Sequence, residues 1–202
     1  MPNLFIRQEQ DTHTLAITFP GLHYSCDKPL LYYPSKLILE RGGDILQLQT
    51  DYTRPDYQFA PRQEQLNWIY GDAQSALLAG RHQRQYEKLI LIGKSIGTLA
   101  LAGSLSADFD IDVAAVWITP LLYQPPVVDA ARSFDGPALF LVGTGDPTYI
   151  PDVLQQIQES TGAEVLVVKD ANHSLEVPGD TFRSLAIIED VLLVISRFLD
   201  EI

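Results

Sequence analysis

Short apolar runs, separated by longer stretches of helical pattern, restrict the folds that this chain can adopt. The runs are apolar on both faces and rich in β-branched residues, which is typical of strands in a parallel sheet that helices cover on both sides. We expect strands at 14–20, 44–50, 88–93, 114–119, 138–143 and 164–170. The segment 3–10 is expected to add an antiparallel edge strand.

The segments between these runs have the composition or the periodicity of helices. Near the C-terminus, apolar residues recur at spacings of three and four, so one face of that helix should dock on the sheet. We expect helices at about 29–41, 60–84, 95–106, 148–161 and 181–200, with a short one within 125–135. This alternation predicts an α/β fold, a three-layer α/β/α sandwich around a mostly parallel sheet.

The size and the charge of the chain limit its organisation and its partners. The 202 residues, 46% of them hydrophobic, are enough to bury one sizeable core, and no linker or internal repeat interrupts them. We therefore expect a single domain over 1–202. The formal net charge of -12 repels phosphate backbones, so we expect no nucleic-acid partner.

Cysteine content and the N-terminal sequence bear on the cellular setting. Cys26 is the only cysteine, which excludes an intrachain disulfide, and its neighbour Asp27 indicates an unreactive thiol. The N-terminus turns polar after six residues, unlike a signal peptide, and no apolar run reaches the roughly 18 residues of a membrane span. We expect a cytoplasmic protein with no membrane partner, and nothing in the sequence indicates an oligomeric state.

The segment KLILIGKSIGTLA, residues 88–100, contains two overlapping motifs. The letters GKS end a phosphate-binding loop, but that motif needs a glycine at position 88, which is lysine. The letters GKSIG have the G-x-S-x-G spacing of a serine hydrolase, with Ser95 at the centre. This second motif requires a sharp turn from a strand into a helix, and the predicted elements on either side provide that context. We therefore favour Ser95 as a nucleophile.

A serine nucleophile needs a base and an orienting acid nearby. His173 is the only histidine after Ser95, and it follows a predicted strand. Asp146, in GTGDP, follows the preceding strand, although an aspartate before a proline is also typical of a helix N-cap or a turn. Asp170 is a rival for the acid, but it lies only three residues before His173.

The motifs GKSIG, GTGD and NHSL occur in an order that resembles the α/β-hydrolase superfamily, and the similarity covers nearly the whole chain. The resemblance implies that Ser95 is the nucleophile, His173 the base and Asp146 the acid. Members of the family place an oxyanion donor in the loop after an early strand, which here reads FPGL, with Pro20 where histidine is frequent. We expect the donors to be the backbone N–H groups of Leu22 and Ile96.

Such a site would hydrolyse a small acyl substrate, a carboxylic ester or thioester, through an acyl-enzyme, with no metal or organic cofactor. A carboxylesterase is therefore the favoured function. A hydrolase-fold binding or scaffold module without catalysis is the alternative, although such a module has no need of the serine, aspartate and histidine. Residues 121–137 are too few to form a cap domain, so we expect an uncapped site that prefers short acyl groups.

For several side chains near the motifs, the sequence is compatible with two different roles. Lys94 is expected to face solvent with its stem on a neighbouring helix, although a cation there would favour an anionic substrate. Tyr24, Tyr123 and Tyr149 each follow a predicted strand, where a tyrosine either lines a pocket or packs against the core.

Overall fold

A computed structural model describes residues 3–107 and 109–202 of the chain. They form a seven-stranded sheet with the strand order β1-β3-β2-β4-β5-β6-β7. The strands are β1 Leu4–Ile6, β2 Thr14–Phe19, β3 Asp44–Gln47, β4 Lys88–Lys94, β5 Asp112–Ile118, β6 Ala138–Gly143 and β7 Glu164–Val168. The helices are α1 Pro29–Glu40, α2 Pro55–Gln58, α3 Arg62–Arg81, α4 Gly97–Ser104, α5 Pro125–Ser133, α6 Pro151–Thr161 and α7 Thr181–Glu201.

Two hydrophobic cores lie on opposite faces of the sheet. In β4, Leu89 and Leu91 join the core beneath α3 to α6, whereas Ile90 and Ile92 join the core beneath α1 and α7. Successive strand residues point to opposite faces, so a strand that is covered on both sides must be apolar throughout. The predicted three-layer α/β/α sandwich is confirmed.

The pairing of the strands also agrees with the sequence analysis. All neighbouring strands are parallel except β1, which pairs antiparallel with β3 at the edge of the sheet. The carboxyl ends of the parallel strands therefore lie along one edge of the sheet. In open α/β sheets this edge is where ligands bind, and it is where the loops after β2, β4, β6 and β7 meet.

Several element boundaries differ from the predicted ones for local reasons. The predicted helix 60–84 starts only at Arg62, after the short separate helix α2 and Pro61. The predicted helix 148–161 starts at Pro151, because a residue that precedes proline is driven into extended backbone, as Ile150 is. The predicted helix 95–106 starts at Gly97, because Ser95 has a φ of 55°, which no right-handed helix admits.

Between the strands that flank the predicted lid position, residues 121–137 form a single short helix, α5. It packs against α4 and α6 in one helical layer of the sandwich and forms no separate cap. Within the part of the chain that the structure describes, no helix has both the length and the apolar character needed to cross a bilayer.

Two glycines in helices provide a matched test of the packing. A Cβ on Gly97 would lie 2.2 Å from the carbonyl oxygen of Phe19, whereas one on Gly71, within α3, would meet nothing within 4 Å. We predict that Gly97→Ala lowers the free energy of unfolding by about 1–3 kcal/mol, as overpacking does. Gly71→Ala should raise it by roughly 0.5–1 kcal/mol, because alanine favours helix. Urea denaturation measures both, and equal effects of the two changes would contradict the packing described for Gly97.

Candidate active site

Ser95 lies on a sharp turn between the central strand β4 and helix α4. Its φ of 55° is in the left-handed region, which costs an L-residue about 1–2 kcal/mol. The Ser95 N–H donates to the carbonyl oxygen of Ile118 at the end of β5, 3.0 Å away. Strain of this kind persists only where the surroundings hold it, and it often marks a functional residue.

Glycines around Ser95 allow the chain to approach it closely. The Cβ position of Gly93 lies 2.8 Å from the carbonyl oxygen of Gly97, and that of Gly97 lies against the backbone of Phe19. A Cβ on Gly21 would lie 3.5 Å from the Cβ of Ser95. The loop after β2 therefore packs directly on the serine turn, and bulkier residues at these positions would separate the two.

His173 connects Ser95 with Asp146. The imidazole Nε2 lies 2.7 Å from the Ser95 Oγ, and Nδ1 lies 2.8 Å from the Asp146 Oδ2. The side chain of Asp146 is 1% exposed and that of His173 is 34% exposed. A buried carboxylate, a partly accessible imidazole and a serine hydroxyl thus form one continuous hydrogen-bonded chain.

Asp146 has further partners that keep it ionised. Its Oδ1 accepts hydrogen bonds from the N–H and the Oγ1 of Thr148, at 2.8 and 2.9 Å. Burial acts to raise the pKa of Asp146, but the hydrogen bonds from His173 and Thr148 outweigh it, so the pKa lies below its ordinary value. Asp146 does not cap α6, whose N-cap is Ile150, so the helix-cap interpretation is wrong. The bond from the Thr148 N–H, two residues on, does make Asp146 a turn residue as well as a partner of His173.

Asp170, the rival for the acid, points elsewhere. It is exposed, it adopts a φ of 63°, and its N–H donates to the Thr144 Oγ1 at 2.8 Å. Among the described residues, its carboxylate has no hydrogen bond to His173. The left-handed backbone at Asp170 turns the chain away from the direction of β7, and the loop that carries His173 follows.

The loops after β6 and β7 meet through glycines that the sequence analysis did not single out. A Cβ on Gly143 would lie 2.2 Å from the carbonyl oxygen of Ala171, and the Gly145 N–H donates to that same oxygen at 2.9 Å. These contacts bring Asp146 and His173 together. The glycine spacing in GTGD was a signal for such an approach, but its partner Ala171 could not be identified from sequence.

Of the two expected oxyanion donors, Ile96 directly follows Ser95, and Leu22 follows Gly21, whose Cβ position lies 3.5 Å from the Ser95 Cβ. The loop with Leu22 is closed by hydrogen bonds between Gly21 and Tyr24 in both directions, at 2.9 and 3.3 Å. Neither the Leu22 nor the Ile96 N–H donates to any residue that the structure describes. Gly21 places the loop that contains Leu22 against the serine turn.

Lys94 has an environment that differs from the one expected from the sequence. It is 2% exposed and does not face solvent. Its Nζ donates to the carbonyl oxygen of His173 at 3.0 Å and to the Thr119 Oγ1 at 3.2 Å, and it lies 4.6 Å from the centre of the Tyr24 ring. Desolvation lowers the pKa of Lys94 to about 8, although the carboxylate of Asp146 opposes this shift. These partners follow three different strands, so no local pattern indicates them.

The remaining candidate side chains differ in their surroundings. Of the three tyrosines, Tyr24 contacts Lys94, Tyr123 is 56% exposed and Tyr149 packs against the core beneath α3 to α6. Cys26 is buried, and desolvation raises its pKa to about 11, so the thiol stays protonated, as expected of an unreactive cysteine.

Solved structures of α/β hydrolases resemble this fold over nearly its whole length. Est1E from Butyrivibrio proteoclasticus, solved with ferulic acid, has a TM-score of 0.73 at 12% identity, covering 99% of this chain and 94% of that chain. An esterase from Pyrococcus furiosus has a TM-score of 0.68 at 15% identity, with 99% and 90% coverage. An α/β serine hydrolase homologue from Coxiella burnetii has a TM-score of 0.69 at 15% identity, with 96% and 89% coverage.

Sequence comparisons add little to this likeness. No family model matches the chain. Protein bicaudal C from Drosophila melanogaster is 37% identical over 78 residues, which are 37% of this chain, and the chain spans only 8% of that protein. The likeness to known proteins thus rests on three-dimensional structure, and by that measure this chain has the α/β-hydrolase fold, as its sequence resemblance predicted.

Proposed function

We propose that this chain is a serine hydrolase, a carboxylesterase that cleaves a small carboxylic ester or thioester through an acyl-enzyme. The observation that carries the proposal is the hydrogen-bonded chain from the Ser95 Oγ through His173 to the Asp146 carboxylate. It stands at the carboxyl edge of the sheet, on a strained serine turn. The names of two structural neighbours, an esterase and a serine hydrolase homologue, support esters as the first substrates to test.

In the first half of the reaction, the Ser95 Oγ attacks the acyl carbonyl while the His173 Nε2 takes the serine proton. Asp146 accepts a hydrogen bond from Nδ1–H, which holds the imidazole in the correct tautomer and stabilises the imidazolium that forms. The depressed pKa of Asp146 keeps the carboxylate ionised for this role. His173 then gives its proton to the leaving alcohol or thiol, and the acyl group stays on Ser95.

The second half repeats these steps with water. His173 takes a proton from a water molecule, which attacks the acyl-enzyme, and the proton then returns to Ser95 as the carboxylic acid leaves. In both halves the negative charge on the carbonyl oxygen needs donors. The proposed donors are the Leu22 and Ile96 N–H groups, neither of which donates to another described residue. One preorganised donor of this kind is worth roughly 3–4 kcal/mol of transition-state stabilisation.

The alternative is a binding module that has kept the fold without catalysis. It predicts no reaction at Ser95, and it leaves unexplained why a strained backbone and a buried acid are retained around that serine. Strain at a residue with no reactive role would be lost readily, since it lowers stability.

Ser95→Ala tests the proposal directly. We predict that it lowers kcat on 4-nitrophenyl acetate at least about 10³-fold, because loss of a triad serine removes the covalent route. Ser106→Ala, an exposed serine just beyond α4, is the matched control and should keep the wild-type rate. The measurement is steady-state hydrolysis with circular dichroism to verify folding. A folded Ser95→Ala protein with most of its activity would exclude the acyl-enzyme mechanism.

The acid is tested by comparing two aspartates. We predict that Asp146→Asn lowers kcat by about 10⁴-fold, because an amide neither fixes the productive imidazole tautomer nor stabilises the imidazolium. Asp170→Asn should stay within about twofold of wild type, since substitutions away from the reacting groups have small effects. The same ester assay measures both variants. The assignment of the acid would be reversed if Asp170→Asn were the more damaging change.

The missing cap gives a prediction about substrate size. The segment 51–61, which could have covered the site, contains α2, and its Tyr57 packs on Tyr52 and on Trp68 of α3. A shallow site gains the roughly 0.8 kcal/mol per buried methylene only for the first few carbons. We therefore predict that kcat/KM is highest for short acyl groups among C2 to C12 nitrophenyl esters, measured below their aggregation limits. An optimum at the long end would show that the site is covered.

A further inference from the structure

Lys94 lies where the loops after four strands meet. It ends β4 directly before Ser95, and it contacts residues that follow β2, β5 and β7. We propose that Lys94 is a positioning residue that fixes two loops relative to Ser95. One is the histidine loop, residues 169–180 between β7 and α7, and the other is the oxyanion loop, residues 20–28 between β2 and α1. This role rests on the proposed hydrolase function and deepens it, because it says what holds the base and the oxyanion donor at the nucleophile.

On one side, the ammonium binds the backbone of the catalytic base. The Lys94 Nζ donates to the carbonyl oxygen of His173 at 3.0 Å, so the bond fixes the main chain that carries the imidazole. A second bond, 3.2 Å long, goes to the Thr119 Oγ1 at the end of β5. The N–H of Thr119 is itself anchored to the carbonyl oxygen of Leu141 at 2.8 Å. The loop that carries His173 is thereby tied to the strands β5 and β6.

On the other side, the stem and charge of Lys94 support the oxyanion loop. The Lys94 Cδ lies 3.5 Å from the position of a Cβ on Gly21, and Nζ lies over the Tyr24 ring. The Tyr24 hydroxyl accepts a hydrogen bond from the Leu30 N–H at 3.0 Å, which anchors the ring to α1. Leu22 lies between Gly21 and Tyr24, so the contacts of Lys94 flank the residue whose N–H is the proposed donor.

Burial of the charged Lys94 side chain opposes folding, so the presence of a lysine at this position needs an explanation other than stability. An apolar side chain would fill the same space without desolvating a charge. The charged groups nearest the ammonium are the carboxylates of Asp146 and Glu176, which favour the charged form, and Lys28, which opposes it. The Tyr24 hydroxyl stays neutral in the working range because burial raises its pKa to about 12. Perturbed groups of this kind concentrate at functional sites.

The direction of the pH dependence follows from the pKa of Lys94, which burial lowers to about 8. Below that pH the ammonium is charged, and its bond to the His173 carbonyl is a charge-assisted one, which is stronger than a neutral bond. As the pH rises through 8, the proton leaves and the bond weakens. We therefore expect kcat/KM to fall through this range, with Lys94 as the cause.

The experiment measures kcat and kcat/KM on 4-nitrophenyl acetate from pH 6 to 9.5, with blank hydrolysis subtracted. The proteins are wild type, Lys94→Met, which keeps the stem without the charge, and the control Lys88→Met at the opposite end of β4. Wild type and Lys88→Met should show the alkaline fall near pH 8. Lys94→Met should lose about tenfold to hundredfold in kcat at pH 7, with KM changed less than about threefold, and should show no inflection near pH 8.

Each outcome decides between roles. A wild-type profile that is flat between pH 7 and 9.5, or the same inflection in Lys94→Met, overturns the proposal. So does a Lys94→Met protein with a lowered melting temperature and an unchanged kcat for its folded fraction, which is what a merely structural lysine predicts. If Lys94→Met does not fold, Lys94→Arg takes its place, because arginine stays charged and should remove the inflection.

Failure of the proposed function is distinguishable from failure of this role. A wild-type protein that neither reacts with a fluorophosphonate nor hydrolyses any ester overturns the hydrolase proposal, and the role of Lys94 with it. A wild-type protein that reacts while Lys94→Met reacts at the same rate overturns only the positioning role.

Discussion

The close contact between Gly97 and the backbone of Phe19 and Pro20 holds the functional edge of this molecule together. A Cβ there would lie 2.2 Å from one carbonyl oxygen and 2.7 Å from the next, so only glycine lets helix α4 start directly against the loop after β2. That approach places the start of α4 and the loop after β2 side by side, next to Ser95. The left-handed backbone of Ser95 is stable because these neighbours leave it no room to relax.

Two charged side chains are buried at this same edge of the sheet. Asp146 and Lys94 are both buried within the loops around His173, where desolvation disfavours each charged form. Asp146 recovers this cost through hydrogen bonds from His173 and Thr148, whereas Lys94 recovers it only in part. An apolar group at either position would avoid this desolvation, and the proposed chemistry at Ser95 gives both charges a role.

The sequence predicted the fold well because its strands are buried on both faces. A strand covered from both sides must be apolar throughout, and for that reason the runs at 88–93 and 138–143 can be recognised as strands in the sequence. The serine turn was also predictable, since G-x-S-x-G constrains backbone and function together. Lys94 was misjudged because its partners, Thr119 and the His173 carbonyl, come from distant parts of the chain. Local pattern cannot specify a contact that only the meeting of separate loops creates.

The proposed reaction requires Ser95 to be a nucleophile that His173 activates. Mass spectrometry of peptides after reaction with a fluorophosphonate tests it most directly, because the reagent marks the residue that attacks. We predict that wild type forms a single adduct on the peptide that contains Ser95. A folded His173→Ala protein should not form this adduct. An adduct on another residue, or equal labelling of Ser95 without His173, would contradict it.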